Sequence, residues 1–510
     1  MIEHLPVLLV VLPIVGGSVP LVAGLFTDRA GWPLATVTML VHAPLAGLLW
    51  WAVWDSGTIE YAVGGYAAPY GIELVVDGLS ATVALLVSVV ALGLLAYARH
   101  AGPRSNTFFS MYLLLVTGLT GMTVTGDVFN LYVFLEITGL AAYGLVASGR
   151  EASSAVAALK YLIIGTVGAS LYLLGVGYLL AGTGTLNMAD LAGKLGSTLD
   201  YDSTLVLTAF GLMVGGLTVK VALFPLHTWQ PDAYANAPDT VSAFISALVS
   251  TVSAYALARL LFSVFTVDFL TEVPAARWAL VGLASVSIVA GSALAVSQSN
   301  VQRMLAYSSV SQFGLVVAGF TIATPVAVVG ATIHLVGHAI MKGGLFAATG
   351  IIERDTGATT VGGYAGMGAR TPLAAGSFAV LALAMVGVPP AIGFFGKWYI
   401  VVGAVESGLW PVVVVLLAST LLTLAYFARL VERLYFAEPT IREGEEPAVA
   451  DGGEGTGGSR SSSGYRTDGG ESVSTGMVAV VVVAAALSIA LIAGVPVLDS
   501  LLNETLPPLL

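Results

Sequence analysis

The stretch GGLTVKVALFPLHTWQPDAYANAPDT, residues 215–240, sets an apolar helical run against two features that such a run rarely carries. Lys220 is a base within it, and Pro225 interrupts it just before His227. What a lysine beside a helix break can do depends on the solvent around it. Outward from this stretch, apolar runs of about 20 residues, enough to cross roughly 30 Å of hydrocarbon, recur along nearly the whole chain. Of the 510 residues, 57% are hydrophobic and 10% charged, whereas a soluble domain carries about 25% charged residues. The runs are continuous, not alternating, which argues against a β-barrel. The 60 glycines suit helices that approach one another closely in lipid. The fold class is therefore all-α, a polytopic membrane protein.

Hydropathy and helix breakers place fourteen spans, near 5–26, 33–54, 77–98, 107–125, 128–148, 157–182, 204–226, 239–264, 277–297, 303–322, 326–351, 372–396, 409–433 and 476–498. The opening MIEHLPVLLVVLPIVGGSVPLVAGLF has no basic start and runs to spanning length, so it reads as the first helix and not as a signal peptide. The chain has no cysteine, which excludes disulfides and cysteine-ligated clusters or zinc. It has no glycine-rich phosphate loop either. No cofactor, metal site or nucleic-acid partner is expected. The formal charge is -11, and five of the 19 basic residues are lysine. Acidic loops poor in lysine suggest a salt-rich, halophilic cytoplasm.

Basic residues sort the loops into two sets. Those after odd-numbered spans hold Arg29, Arg99, Arg104, Arg150, Arg303, Arg354 and Arg370, whereas those after even-numbered spans hold little beyond Lys194 and Arg277. The positive-inside rule then puts the odd loops in the cytoplasm and both termini outside a plasma membrane. Residues 436–475 are acidic and rich in glycine and serine, and read as a disordered cytoplasmic loop before the last helix, within 476–510.

An ionisable side chain at mid-bilayer costs about 3 kcal/mol, so each one is a functional candidate. Six stand out: Glu136, Lys220, His334, His338, Lys342 and Lys397. Glu136, in span 5, needs a cation to stay charged, and Lys220 is its natural partner. A purely structural pair is the alternative, although buried pairs often add little stability. Pro225 frees backbone carbonyls, and broken helices at mid-membrane commonly line a hydrated cavity. His227 extends the polar line toward the cytoplasmic edge, or else is an interfacial histidine beside Trp229.

The design recurs in MVGVPPAIGFFGKWYI, residues 385–400, where Pro389 and Pro390 precede Lys397. Two breaks five spans apart imply inverted repeats, spans 4–8 (107–265) and 9–13 (266–435), after an N-terminal unit, 1–106. Between the breaks, His334, His338 and Lys342 follow i, i+4, i+8 spacing and share one side of span 11. Histidine titrates near neutral pH and suits a proton relay. A metal held by the histidine pair lacks a third ligand.

The stretches DVFNLYVFLEITGLAAYGL, VKVALFPLHTWQPDAYANAPDTVSAFISAL, QRMLAYSSVSQFG, HLVGHAIMKGGLF and GVPPAIGFFGKW resemble the antiporter-like subunits shared by Mrp-type multisubunit cation/proton antiporters and the membrane arm of respiratory complex I. The resemblance spans about residues 70–435, and length and motifs lie nearest the Mrp D subunit. It implies fourteen helices, inverted repeats, broken helices 7 and 12, and a Glu136–Lys220–Lys397 proton path. The family usually carries a lysine in helix 8, where Thr251 aligns. Expected partners are the other subunits of a hetero-oligomeric antiporter complex, protons and sodium. The expected role is the proton limb of secondary Na+/H+ exchange, a transporter subunit and not an enzyme. The rivals are a proton-pumping subunit of a quinone reductase or hydrogenase, and a scaffold with an inactive channel.

Overall fold

The computed structural model describes residues 2–438 and 473–505, so most of the expected 436–475 loop lies outside the described residues. In chain order the long helices are α1 (Leu5–Ala23) and α2 (Gly31–Ser56), then α3 (Gly78–Ala101), α4 (Asn106–Val124), α5 (Val128–Ala147) and α6 (Ala152–Thr183). Next comes α7 in two pieces (Thr204–Val221 and Gln230–Asn236), followed by α8 (Asp239–Ser263), α9 (Pro274–Ser297), α10 (Val301–Ile322) and α11 (Pro325–Thr356). Last are α12, also in two pieces (Pro372–Val386 and Ile392–Glu406), α13 (Trp410–Phe436) and α14, which begins at Thr475–Ala490 and continues as Val495–Thr505. Thirteen of the described helices are long and apolar enough to cross a membrane; the fourteenth crossing is the broken α12. The chain is a polytopic, all-α membrane protein.

Both breaks contain the prolines, but the helix ends around them differ from those that hydropathy gives. Span 7 was expected to run to 226, but its helix stops at Val221; span 12 was expected to end at 396, but stops at Val386 and resumes to Glu406. A proline ring clashes with the carbonyl four residues earlier and cannot return its hydrogen bond. Counting back four from Pro225 gives Val221; from Pro389 and Pro390 it gives Met385 and Val386, the last two residues of the first piece of α12. Each stop uses the same capping pattern. Leu223 N donates to Thr218 O at 3.1 Å and Val388 N to Leu383 O at 3.1 Å. The residue in between is left-handed: Gly387 at φ 95°, and Ala222 at φ 66°. This is the cap that normally calls for glycine. The two breaks lie five helices apart, and each follows a 32-residue helix, α6 or α11.

α8, α10 and α11 form the centre and are buried over nearly their whole length, while α1, α2, α6, α13 and α14 leave broad apolar faces uncovered. Some of the hydroxyls of α8 spend their hydrogen bonds on its own turns, which helps it to be surrounded: Thr251 on Ala247 O at 2.6 Å and Ser253 on Val249 O at 2.8 Å. One element was not expected. Between α2 and α3 an antiparallel hairpin pairs β1 (Ile59–Ala62) with β2 (Glu73–Val76), Ile59 facing Val76 and Ala62 facing Glu73. It marks one face of the bundle; the arginine-bearing loops mark the other.

Candidate functional site

Lys220 is the next-to-last residue of the first piece of α7, two residues before the left-handed turn, and is 3% exposed. Its Nζ lies 3.6 Å from Glu136 Oε1 and donates a hydrogen bond to the Tyr143 hydroxyl at 3.0 Å. The expected pair is therefore present, with a phenol as its third member. Gly139 makes the approach possible, since a Cβ there would stand 2.9 Å from the Tyr143 hydroxyl and 3.1 Å from Lys220 Nζ. The break is tied down on every side. Trp229 Nε1 donates to Val219 O at 2.9 Å, and Phe224 N donates to Ser287 Oγ at 3.1 Å. Trp229 stacks on Tyr161 at 4.0 Å, and Tyr161 meets Tyr143 edge-on at 4.5 Å. Pro225 lies in the connecting turn and not within a helix. His227 is buried between Phe224 and Tyr307, with ring centroids 5.2 and 5.7 Å away.

At the second break the lysine is on the far piece and reaches back. Lys397 Nζ donates to Met385 O at 2.9 Å and Val386 O at 3.0 Å, the free carbonyls that end the first half of α12. A cation at a helix C-terminus is favoured by both those carbonyls and the helix dipole. Pro389 and Pro390 are exposed at the turn. No carboxylate lies within ion-pair distance of Lys397 or Lys342 among the described residues.

α11 carries the middle groups, all fully buried. His334 Nε2 lies 2.9 Å from Gln312 Oε1 on α10. The His338 ring packs on Phe313 at 4.5 Å, and neither of its nitrogens has a protein partner. Lys342 Nζ donates to Leu305 O at 2.7 Å and to Ser308 Oγ. α11 and α12 touch where Gly396 meets His334, so Lys397 adjoins the histidine row. Thr251 is buried but occupied with its own helix; its neighbour Ser250 is 3.5 Å from Lys220 O and receives a 3.2 Å hydrogen bond from Gln230. One lysine site thus stands at each break, and the Lys397 site adjoins a row of imidazoles. The described residues contain no direct hydrogen bond joining Lys220 to that row.

Residues 125–423 match the family described as NADH:quinone oxidoreductase/Mrp antiporter, TM. The chain belongs to this family. It is 44% identical over 450 residues to NADH-quinone oxidoreductase subunit N of Desulforudis audaxviator, covering 85% of this chain and 87% of the relative. It is 30% identical over 407 residues to the D subunit of the Na(+)/H(+) antiporter of Bacillus subtilis, covering 79% and 81%. The Mrp complex from Dietzia sp. DQ12-45-1b contains a chain that superimposes with a TM-score of 0.87 at 26% identity, covering 100% of this chain and 97% of that one. This antiporter-like, proton-translocating membrane subunit has two broken helices with a lysine at each.

Two groups in the antiporter-like subunit escaped the sequence reading. Tyr143 is uncharged at neutral pH, so a search for ionisable residues passes over it; its signal is the spacing of seven from Glu136, two turns along one helix face. Arg259 lies four residues from the end of α8 and reads as interfacial, yet it is 6% exposed and makes an ion pair with Asp77. On the arginine-bearing face, Asp232 takes Lys160 at 2.5 Å and Arg303 at 2.6 Å, tying α6 and α10 to the second piece of α7. Beside it opens a cavity of about 680 Å³ whose lining includes Arg104, Glu151, Asn236, Asp239 and Glu353.

Proposed function

We propose that this chain carries protons across a plasma membrane as one subunit of a hetero-oligomeric Na+/H+ antiporter. Protons enter beside the α7 break, charge Lys220, and pass by way of His334, His338 and intervening water to Lys397, with Lys342 alongside. They leave on the opposite face. Helices α4–α8 and α9–α13 act as inverted repeats, each contributing one broken helix and one lysine. The arginine-bearing face is cytoplasmic and both termini are outside, as the positive-inside rule requires. The observation that carries this function is the Lys220 amine held between Glu136 at 3.6 Å and Tyr143 at 3.0 Å at the end of a broken helix. Such an amine holds its proton while the carboxylate is near and releases it when the carboxylate withdraws.

The deciding experiment reconstitutes the purified complex in vesicles and imposes a sodium gradient. Sodium-driven proton movement that disappears in Glu136→Ala and Lys220→Ala is the expected result. Exchange at the parental rate in both variants refutes the path. A second function is favoured by the 44% identity to an oxidoreductase subunit N, namely the same proton path driven by redox chemistry in partner subunits. In that case proton movement follows quinone reduction and ignores sodium. Transport unchanged in Glu136→Ala, Lys220→Ala and Lys397→Ala alike leaves only a scaffolding role.

A further inference from the structure

At the hairpin face a cavity of about 540 Å³ opens among Glu60, Glu73, Asn187 and Glu504, and Asp77 and Arg259 also line it. Four carboxylates around one opening concentrate cations, protons included. Asp77 and Arg259 are each 6% exposed. Arg259 Nη2 donates to Asp77 Oδ1 and, at 2.6 Å, to Ser80 Oγ; Nε donates to the Tyr255 hydroxyl at 2.8 Å. That hydroxyl lies 2.7 Å from Ser80 Oγ and donates to Thr123 O at 2.8 Å. Nη1 reaches Ser263 Oγ at 3.3 Å. The guanidinium is therefore held from several sides.

Its position on α8 gives this cluster a consequence. Thr251, Tyr255 and Arg259 are spaced i, i+4, i+8 and form one polar stripe from mid-membrane to the cavity. At the inner end, Ser250, next to Thr251, is 3.5 Å from the carbonyl of Lys220. Water following that stripe would join the cavity to the α7 break and short-circuit any proton delivered there from the other face. We infer that Arg259, anchored by Asp77, is an electrostatic seal that keeps protons of the hairpin face away from Lys220. Arginine suits the task because it never gives up its proton and so offers no relay. A fixed positive charge in a narrow polar passage is also how water pores exclude protons. The seal matters only if protons move through Lys220, as proposed above.

The test measures passive proton flux in vesicles holding the assembled complex, driven by a potassium diffusion potential, with neither a sodium gradient nor an electron donor. Asp77→Asn combined with Arg259→Gln removes both charges without leaving one buried alone. It should raise the flux at least tenfold, and Arg259→Gln alone should also leak. Arg259→Lys, which keeps a cation but one that can release its proton, should leak less than Arg259→Gln and more than the parent. Parental flux in both charge-free variants overturns the seal. Failure of both to assemble also overturns it, since that makes Arg259 a structural residue. Coupled transport by Lys220→Ala in the same vesicles reports separately on the proton path, so either idea can fail without the other.

Discussion

The Lys220 amine donates to the Tyr143 hydroxyl at 3.0 Å, closer than the 3.6 Å to the Glu136 carboxylate with which it pairs. The phenol can accept from a charged amine and donate to a neutral one, so it serves Lys220 in both protonation states. Tyr143→Phe keeps the ring against Tyr161 and deletes only the hydroxyl. One hydrogen bond to a charged group contributes about 1.5–3 kcal/mol. Proton transport by the reconstituted complex should therefore fall roughly tenfold or more. Expression and assembly should match the parent, and Lys220→Ala should be the more severe lesion.

Lys397 tests whether a lysine is needed at the second break or merely a cation. Its bonds to Met385 O and Val386 O cap a helix end, a task that arginine also performs. Arginine cannot release its proton. Lys397→Arg should thus keep the complex assembled, with a thermal midpoint close to the parent, while sodium- or redox-driven proton movement drops to background. Transport that survives the substitution would make Lys397 a cap and nothing more.

Much of this was legible from the chain alone. Spanning helices announce themselves by length and apolarity, because lipid accepts no unpaired backbone. Pro225 and the Pro389–Pro390 pair disclose the breaks for the same reason. Where each helix stops was less apparent, although the four-residue reach of the proline clash accounts for Val221 and Val386. The hairpin escaped because two four-residue strands between spans look like any polar loop. Tyr143 and Arg259 escaped for different reasons, the one uncharged and the other near a helix end. Contacts between helices far apart in sequence, such as Arg259 with Asp77, have no periodic signal at all.

Ala222 occupies a left-handed conformation at φ 66° that its counterpart Gly387 adopts freely. For a residue with a Cβ this costs about 1–2 kcal/mol. Glycine's added freedom in the unfolded chain returns about 0.4–1 kcal/mol of that. Ala222→Gly should consequently stabilise the subunit by at most about 1.6 kcal/mol, seen as a higher thermal midpoint with transport intact. Ala222→Val should do the opposite, because a β-branched residue at positive φ is a true outlier. A lower midpoint for the glycine variant would mean that the turn is not what sets the break.

Gly396 decides how closely α11 and α12 approach. A Cβ there would stand 2.7 Å from the Cα, Cβ and backbone N of His334, atoms that no rotamer change can move aside. Gly396→Ala must push the two helices apart, and overpacking of this kind costs about 1–3 kcal/mol. It also separates His334 from the residue next to Lys397, so transport should fall along with the thermal midpoint. Gly93 on α3 supplies the control. It has open space around it, and alanine exceeds glycine in a helix interior by about 0.5–1 kcal/mol. Gly93→Ala should raise the midpoint and leave transport alone. If both substitutions lower the midpoint equally, close contact at Gly396 is not what holds the second break against the histidine row.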